Sequence, residues 1–148
     1  MNTTITKTWT ISISESEVFS RCVNESLYRA NNVSAENTNT DAAVMQEDDK
    51  GQFSRYFMVA LANLGMILSR RMSKTADYDN GVFILDMHDN HDDNILPVLI
   101  NNCYEYVVKK VLEQWYHADL GSELDKLEIN HCIHYRKNPV RRRIRPLF

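Results

Sequence analysis

The chain has 148 residues, of which 43% are hydrophobic and 25% are charged, and its formal net charge is −3. This length and composition are typical of one globular domain and argue against wholesale disorder. Charges interrupt every apolar stretch well before the roughly 18 residues that a membrane span needs. Cys22, Cys103 and Cys132 are widely spaced and form no CxxC motif, which favours a reducing compartment over a disulfide framework or a zinc site.

The net charge conceals an uneven distribution along the sequence. All 20 acidic residues lie before His131 together with 11 of the 17 lysines and arginines, so residues 1–130 carry a charge of −9. Residues 131–148 hold the other six basic residues and no acidic residue, so they carry +6. Such a division predicts contact with a charged partner, which is nucleic acid, another protein or another copy of the chain.

The first two predicted elements are a strand and a helix. Apolar residues alternate with threonine and serine from Ile5 to Ile13, which predicts a half-buried strand. Ser14 and Glu17 then match a capping box, which marks the start of a helix. Apolar residues follow at three- and four-residue spacing and predict a helix over 15–31. Its buried stripe is predicted to contain Val18, Phe19, Cys22, Val23, Leu27 and Ala30.

A polar, asparagine-rich stretch at 31–50 predicts a loop before the second helix. Asp49 is placed to cap that helix, where its negative charge faces the positive end of the helix dipole. The helix is predicted over 50–73, and its apolar stripe makes it the centre of the core. Met58 and Met66 are assigned to the core as well. The stripe comprises Phe53, Phe57, Ala60, Leu61, Leu64, Ile67, Leu68 and Met72.

A short strand and a third helix complete the predicted body. The turn signal Asp79-Asn80-Gly81 precedes an apolar run from Val82 to Leu85, which predicts a buried strand. An acidic loop follows at 86–94. The third helix is predicted over 94–118 because Pro97 is tolerated in a first turn and Gly121 is placed to terminate a helix.

The C-terminal residues predict a β-hairpin. Alternation from Leu127 to Tyr135 and again from Val140 to Arg145 is separated by a turn-forming tetrapeptide. The predicted fold class is therefore α+β and mainly α, with a three-helix core, an N-terminal β-strand, a short middle strand and this hairpin. We divide the single domain into a helical α+β body at 1–126 and a basic β-hairpin arm at 127–148.

One cluster between the middle strand and the third helix carries metal-ligating side chains. Its spacing matches neither an EF-hand nor an HExxH helix. Negative charge ahead of a helix N-terminus explains the same residues. We therefore predict no metal and no cofactor, with a divalent metal as the less favoured alternative. The cluster comprises Asp86, His88, Asp89, His91, Asp92 and Asp93.

The sequence offers little support for catalysis. His131 and Cys132 are neighbours in the predicted hairpin, but alternation along a strand points their side chains to opposite faces. No dinucleotide-binding, P-loop or hydrolase-elbow motif is present. We predict no catalytic residues and no enzymatic activity.

The basic C-terminal segment is the strongest candidate for a contact surface. Guanidinium groups form bidentate contacts with carboxylates and phosphates, and here they are concentrated in one segment. The alternative is a solvated edge strand that charge protects from unwanted pairing. The predicted partner or subunit contacts are Arg136, Lys137, Arg141, Arg142, Arg143, Arg145 and Phe148.

Two acidic loops are predicted to receive this segment from a neighbouring copy. Such a head-to-tail contact is heterologous and closes into a ring when the rotation permits. The predicted acidic counter-surface comprises Asp48, Asp49, Asp89, Asp92 and Asp93.

The order of these elements resembles the small connector, ring or tail-completion proteins in the neck of tailed bacteriophages. The matching features are the three predicted helices and the hairpin from Leu127 to Arg145, whereas the long N-terminal strand suits the α+β body of a tail-completion protein. The resemblance implies a structural virion protein that forms an oligomeric ring between head and tail. It also implies synthesis in the host cytoplasm, neck or tail proteins as partners, and no membrane contact.

An alternative function uses the same basic segment on a different partner. A small DNA-binding or regulatory accessory protein would place these arginines on phosphates, and its affinity would fall steeply with added salt. Subunit contacts are favoured because the acidic body balances much of the charge on the basic segment.

Overall fold

The computed structural model describes residues 6–32, 44–72 and 80–134. In these ranges the chain is mainly helical and carries a small two-stranded antiparallel sheet. This confirms the mainly helical α+β class, with an N-terminal strand, a middle strand and three long helices. The strands are β1 (Thr6–Ser12) and β2 (Val82–His88), the long helices are α1 (Glu15–Asn32), α2 (Lys50–Leu68) and α3 (Leu96–Tyr116), and the short helices are α4 (Gly121–Asp125) and α5 (Ile129–His134).

The sheet covers the helices with the apolar face predicted from alternation. β1 pairs with β2 in a register that places Trp9 opposite Leu85 and Ile11 opposite Phe83. All four of these side chains are buried, whereas Thr10 on the other face is exposed. The alternation predicted for β1 is therefore confirmed in the described residues.

The second strand is longer than its apolar run predicted. β2 continues three residues past Leu85 and ends at His88, so Asp86 lies on a strand and not in the predicted acidic loop. Met87 is buried and continues the alternation, whereas Asp86 points to solvent opposite Thr8. Hydrogen bonding to β1 thus extends a strand whose own sequence turns acidic.

Gly81 makes the predicted turn possible. Its φ is +78°, a conformation that favours glycine, and its carbonyl accepts a hydrogen bond from the Ile13 amide at 2.7 Å. A Cβ at this position would lie 2.4 Å from the Ile13 carbonyl oxygen. The turn therefore locks the end of β1 to the start of β2.

The helix α1 begins where its capping box predicts, but only half of the box forms, because the Ser14 amide donates to the Tyr104 hydroxyl at 2.9 Å. The Glu17 amide donates to the Ser14 hydroxyl at 3.4 Å, and Val18, Phe19 and Cys22 are buried against the other helices. Leu27 was predicted to share this buried stripe, but it is 46% exposed. The first half of α1 therefore carries most of its packing.

Helix α2 begins at Lys50 as predicted, but two residues that were predicted to cap or terminate a helix have other roles. Asp49 directs its carboxylate backwards, where it accepts a hydrogen bond from the Gln46 amide at 2.8 Å, so it does not cap α2 by its side chain. Helix α3 ends at Tyr116 because His117 adopts the left-handed conformation, with φ 54° and ψ 43°. Gly121, predicted to terminate this helix, instead begins α4.

Helices α2 and α3 form an antiparallel pair at the centre of the molecule. Gln114, near the end of α3, donates to the Tyr56 carbonyl in the first half of α2 at 3.0 Å. The side chains of both strands and of all three long helices meet in one hydrophobic cluster. Among the helices in the described ranges, none combines the length and hydropathy that crossing a membrane requires.

Candidate assembly surfaces

The segment that was predicted as the first strand of the hairpin is helical where the structure describes it. Residues Ile129–His134 form α5, and Ile129, Cys132 and Ile133 are buried together. Spacings of three and four residues place these three side chains on one helix face. The spacing between Ile129 and Ile133 fits a strand and a helix equally well, so the sequence pattern was ambiguous here. The rest of the predicted hairpin lies outside the described residues.

Helix α5 is fixed at both of its ends. Glu128 precedes it with a positive φ of 48°, and Asn102 of α3 donates to the Leu127 carbonyl at 2.8 Å. At the far end, the His91 Nε2–H donates to the Ile133 carbonyl at 3.1 Å. The body therefore determines where the basic C-terminal segment begins and in which direction α5 approaches that point.

The predicted contact residues belong to that C-terminal segment. Arg136, Lys137, Arg141, Arg142, Arg143, Arg145 and Phe148 all lie outside the described residues.

Asp93 from the acidic loop already serves an internal contact. Its Oδ1 accepts from Lys7 Nζ at 2.8 Å and from Trp9 Nε1 at 3.1 Å. Lys7 also donates to the His91 carbonyl at 2.6 Å, and Asp92 accepts from the Asn94 amide at 3.0 Å. These contacts join β1 to the residues just before α3. Asp89 and Asp93 are both exposed and Asp92 is half-buried, but Asp93 is already engaged by Lys7 and Trp9.

The two histidines of the predicted cluster are engaged in ring contacts. His91 is 1% exposed, meets Trp9 edge to face at 6.0 Å between ring centroids, and stacks parallel to His88 at 6.1 Å. Among the described residues, no group of three or more histidine, cysteine, aspartate or glutamate side chains is arranged to hold a metal ion.

The other half of the predicted acidic counter-surface lies far from this loop. Asp48 is exposed and Asp49 is half-buried, immediately before α2. Because α2 and α3 are antiparallel, the start of α2 lies near the end of α3, whereas Asp92 and Asp93 precede its start. Helix α3 has 21 residues and so is about 30 Å long at 1.5 Å per residue. The five carboxylates therefore form two separate groups.

A third acidic region was missed by the sequence analysis. Residues 113–128 contain five acidic residues and one lysine, and α4 with its flanking turns presents them at the end of α3. Asp125 and Glu128 are exposed beside a groove that also borders α2. The sequence signal was the local acidic excess, but only the turn between α4 and α5 places these two carboxylates at one groove.

An exposed apolar stripe runs along α2. Met58, Val59 and Met66 are 45%, 48% and 73% exposed, although both methionines were predicted to lie in the core. Residues 58, 62 and 66 are spaced by four and share one face of the helix. The buried face already contains Phe57, Leu61 and Leu64. Because α2 is apolar around most of its circumference, one face remains uncovered when the other packs.

The three cysteines are free thiols inside the molecule. Burial raises the pKa of Cys22 and that of Cys103 to about 12. Burial also raises the pKa of Cys132. A thiol with a raised pKa is a poor nucleophile at neutral pH, because the thiolate is the reactive form.

Comparison with known proteins places the chain in no family. No family model matches it, and neither a curated protein nor a solved structure is significantly similar to it.

Proposed function

We propose that this chain is a structural subunit that assembles with copies of itself and acts by assembly, not by catalysis. The exposed apolar stripe of α2 is the observation that carries the proposal. The ring in the neck of a tailed phage, which the order of elements resembles, is the assembly that we propose it forms.

The stripe has the composition of a protein contact. Met58, Val59 and Met66 lie along one side of α2, and exposed Arg55 and Arg70 lie near the two ends of this stripe. Contiguous exposed apolar side chains with a polar border are typical of protein–protein interfaces. Methionine suits such a surface because its flexible side chain adapts to the partner.

A closed ring needs two different contact surfaces on each subunit, because neighbouring copies meet head to tail. In our proposal the α2 stripe belongs to one of these surfaces, and the basic C-terminal segment belongs to the other. Residues 131–148 carry +6 and the rest of the chain carries −9, so neighbouring copies attract one another by charge.

The first test replaces an apolar side chain of the stripe by a charged one. We expect the wild-type chain to form oligomers in native mass spectrometry and light scattering, and Met66→Lys to weaken their association by about tenfold to a hundredfold, as the loss of one buried methionine implies. Asn101→Lys adds the same charge at an exposed site on α3 and is the matched control. A wild-type chain that stays monomeric at every protein and salt concentration would contradict the proposal.

The second test removes the basic segment and includes duplex DNA. The truncation belongs after His134, because Ile133 is fully buried in α5 and a shorter chain would lose part of the core. We expect the truncated chain to remain folded by circular dichroism and to form smaller oligomers. Duplex binding that needs residues 135–148 and weakens steeply with salt, without self-association, would favour the DNA-binding alternative.

A further inference from the structure

A groove with an apolar floor and an acidic rim opens between α2, α3, α4 and α5. Its volume is about 490 Å³, within the range of about 300–1,000 Å³ that ligand sites occupy. Tyr106 and Ile129 are buried at its floor, and Ile67 and Leu124 are half-buried beside them. Asp125 and Glu128 are the carboxylates of its rim.

The two rim carboxylates differ from those of the predicted acidic loops. Asp93 is held by Lys7 and Trp9, and Asp92 by the Asn94 amide. In the described part of the chain, by contrast, the side chains of Asp125 and Glu128 form neither an ion pair nor a hydrogen bond. Both are exposed, so a cationic ligand reaches them without displacing an existing contact.

We infer that this groove binds the C-terminal segment, residues 139–148, of a second copy of the chain. The inference rests on the proposed function and names the surface that receives the basic segment. The sequence of the segment, PVRRRIRPLF, interleaves four arginines with apolar residues and ends in Leu147 and Phe148. Its composition complements a groove with two carboxylates on the rim and aliphatic and aromatic side chains on the floor.

The chemistry of the contact follows from this pairing. Arginine binds a carboxylate through two parallel N–H···O hydrogen bonds, which makes it more specific than a lysine at the same place. An apolar side chain such as Phe148 removes the groove floor from water. The pairing of arginines with the rim carboxylates then gives specificity for this segment, and the apolar residues at its end bury surface against the groove floor.

The direction of α5 favours a second copy over the same chain. Glu128 and Ile129 lie at the groove, and α5 runs from there to its other end, where Ile133 contacts His91. The six residues of α5 cover about 9 Å at 1.5 Å per residue. The described chain therefore ends, at His134, on the side of α5 away from the groove, and a segment that filled the groove of its own chain would have to turn back along α5.

The main experiment mixes two full-length variants that are each defective in one half of the contact. One carries Asp125→Asn and Glu128→Gln and keeps its C-terminal segment, and the other carries Arg142→Glu and Arg143→Glu and keeps its groove. We expect each variant alone to form only the smaller oligomers expected of the truncated chain, and the mixture to form larger complexes that contain both variants, detected by native mass spectrometry with one partner ¹⁵N-labelled. A groove variant that assembles like the wild type, while Met66→Lys does not, overturns the inference and leaves the proposed function standing.

A direct measurement keeps the inference testable if the wild-type chain does not oligomerise. A fluorescein-labelled peptide of residues 135–148 is titrated with the full-length Arg142→Glu/Arg143→Glu chain, whose own segment competes poorly. We expect saturable binding that weakens about tenfold or more in Asp125→Asn/Glu128→Gln. Asp48→Asn/Asp89→Asn, which removes the same charge elsewhere, serves as control.

Three further outcomes of these measurements would overturn the inference. The groove is not the receptor if the peptide fails to bind, or if the control variant weakens its binding equally. Docking within one chain replaces docking between copies if the peptide binds but the mixed variants do not associate.

Discussion

The cysteines show how burial determines the chemistry of a single residue. Cys22 is fully buried in α1 and directs its thiol to the Val108 carbonyl at 3.9 Å. Cys103 is fully buried on the inner face of α3. With a pKa of about 12 for both thiols, almost none of either is thiolate at neutral pH. Their role in the folded protein is that of small apolar side chains.

We therefore expect the native thiols to react slowly with a thiol reagent such as DTNB at pH 7 to 8. Burial blocks the approach of the reagent and the raised pKa suppresses the thiolate, so all three thiols should react quickly only after unfolding in urea. An Asn101→Cys variant supplies an exposed thiol on α3 as a positive control. Fast modification of the native wild-type protein would contradict the core positions of these residues.

A network of ion pairs fastens the short helix α4 to two long helices. Arg29 near the end of α1 pairs with Glu25 at 2.9 Å and with Glu123 of α4 at 2.8 Å. Lys109 of α3 also lies 3.6 Å from Glu123. The hydrogen bond from Arg29 is the main reason that the pKa of Glu123 lies below its ordinary value of 4.5. Glu123 is therefore ionised in the folded chain at a pH where it would already bind protons in the unfolded chain.

This lowered pKa predicts a pH dependence of stability. The contribution of Glu123 is fully present well above pH 4.5 and disappears as the pH falls through its lower value in the folded state. Glu123→Gln should thus unfold at a lower temperature than the wild type at pH 7, and the difference should shrink as the pH is lowered below 4.5. Thermal unfolding followed by circular dichroism measures the difference in unfolding temperature at each pH, with Glu15→Gln as an exposed control.

The long elements were predictable because their patterns exclude other structures. The capping box and three- and four-residue spacing of α1 and the alternation of β1 each fit one period. By contrast, α5 has six residues, and the spacing of Ile129 and Ile133 fits two periods. Only its packing against α3 decides between them. Short segments take their structure from contacts that the local sequence does not contain.

Some features of the candidate site could be predicted from the sequence, and others depend on the fold. The concentration of arginines after Tyr135 is visible in the sequence because it depends on composition alone. The apolar stripe of α2 was hidden, since periodicity reveals apolar residues but not which of two apolar faces packs inwards. The sequence does not predict that Asp125 and Glu128 border one groove, because only the turn between α4 and α5 brings them there.

At the scale of the whole molecule, the N-terminal strand β1 covers one side of the hydrophobic core. Trp9 is 2% exposed between the sheet and the helices, and its indole N–H donates to Asp93 at the start of α3. Lys7 adds an ion pair to the same carboxylate at 2.8 Å. The N-terminal strand therefore belongs to the folded body as firmly as the long helices do.

Replacing Trp9 should accordingly affect the stability of the entire domain. We expect Trp9→Ala to lower the free energy of unfolding by about 3–5 kcal/mol, because it removes a large buried side chain and leaves a cavity. Trp9→Phe keeps much of the apolar volume and loses the hydrogen bond to Asp93, so its effect should be smaller. Urea unfolding followed by circular dichroism measures both. Equal stability of Trp9→Ala and the wild type would show that β1 is dispensable.

The pairing of β1 with β2 has a consequence for synthesis of the chain on the ribosome. Ser12 pairs with Val82, so β1 emerges about 70 residues before its partner and waits about 4 to 14 s at 5–20 residues per second. During this interval the strand exposes Trp9 and Ile11 without its own sheet. Thr8, Thr10 and Ser12 alternate with them, so this segment exposes no two adjacent apolar side chains while it waits. The residues that face solvent in the folded sheet thus also separate the apolar residues of this segment before the sheet forms.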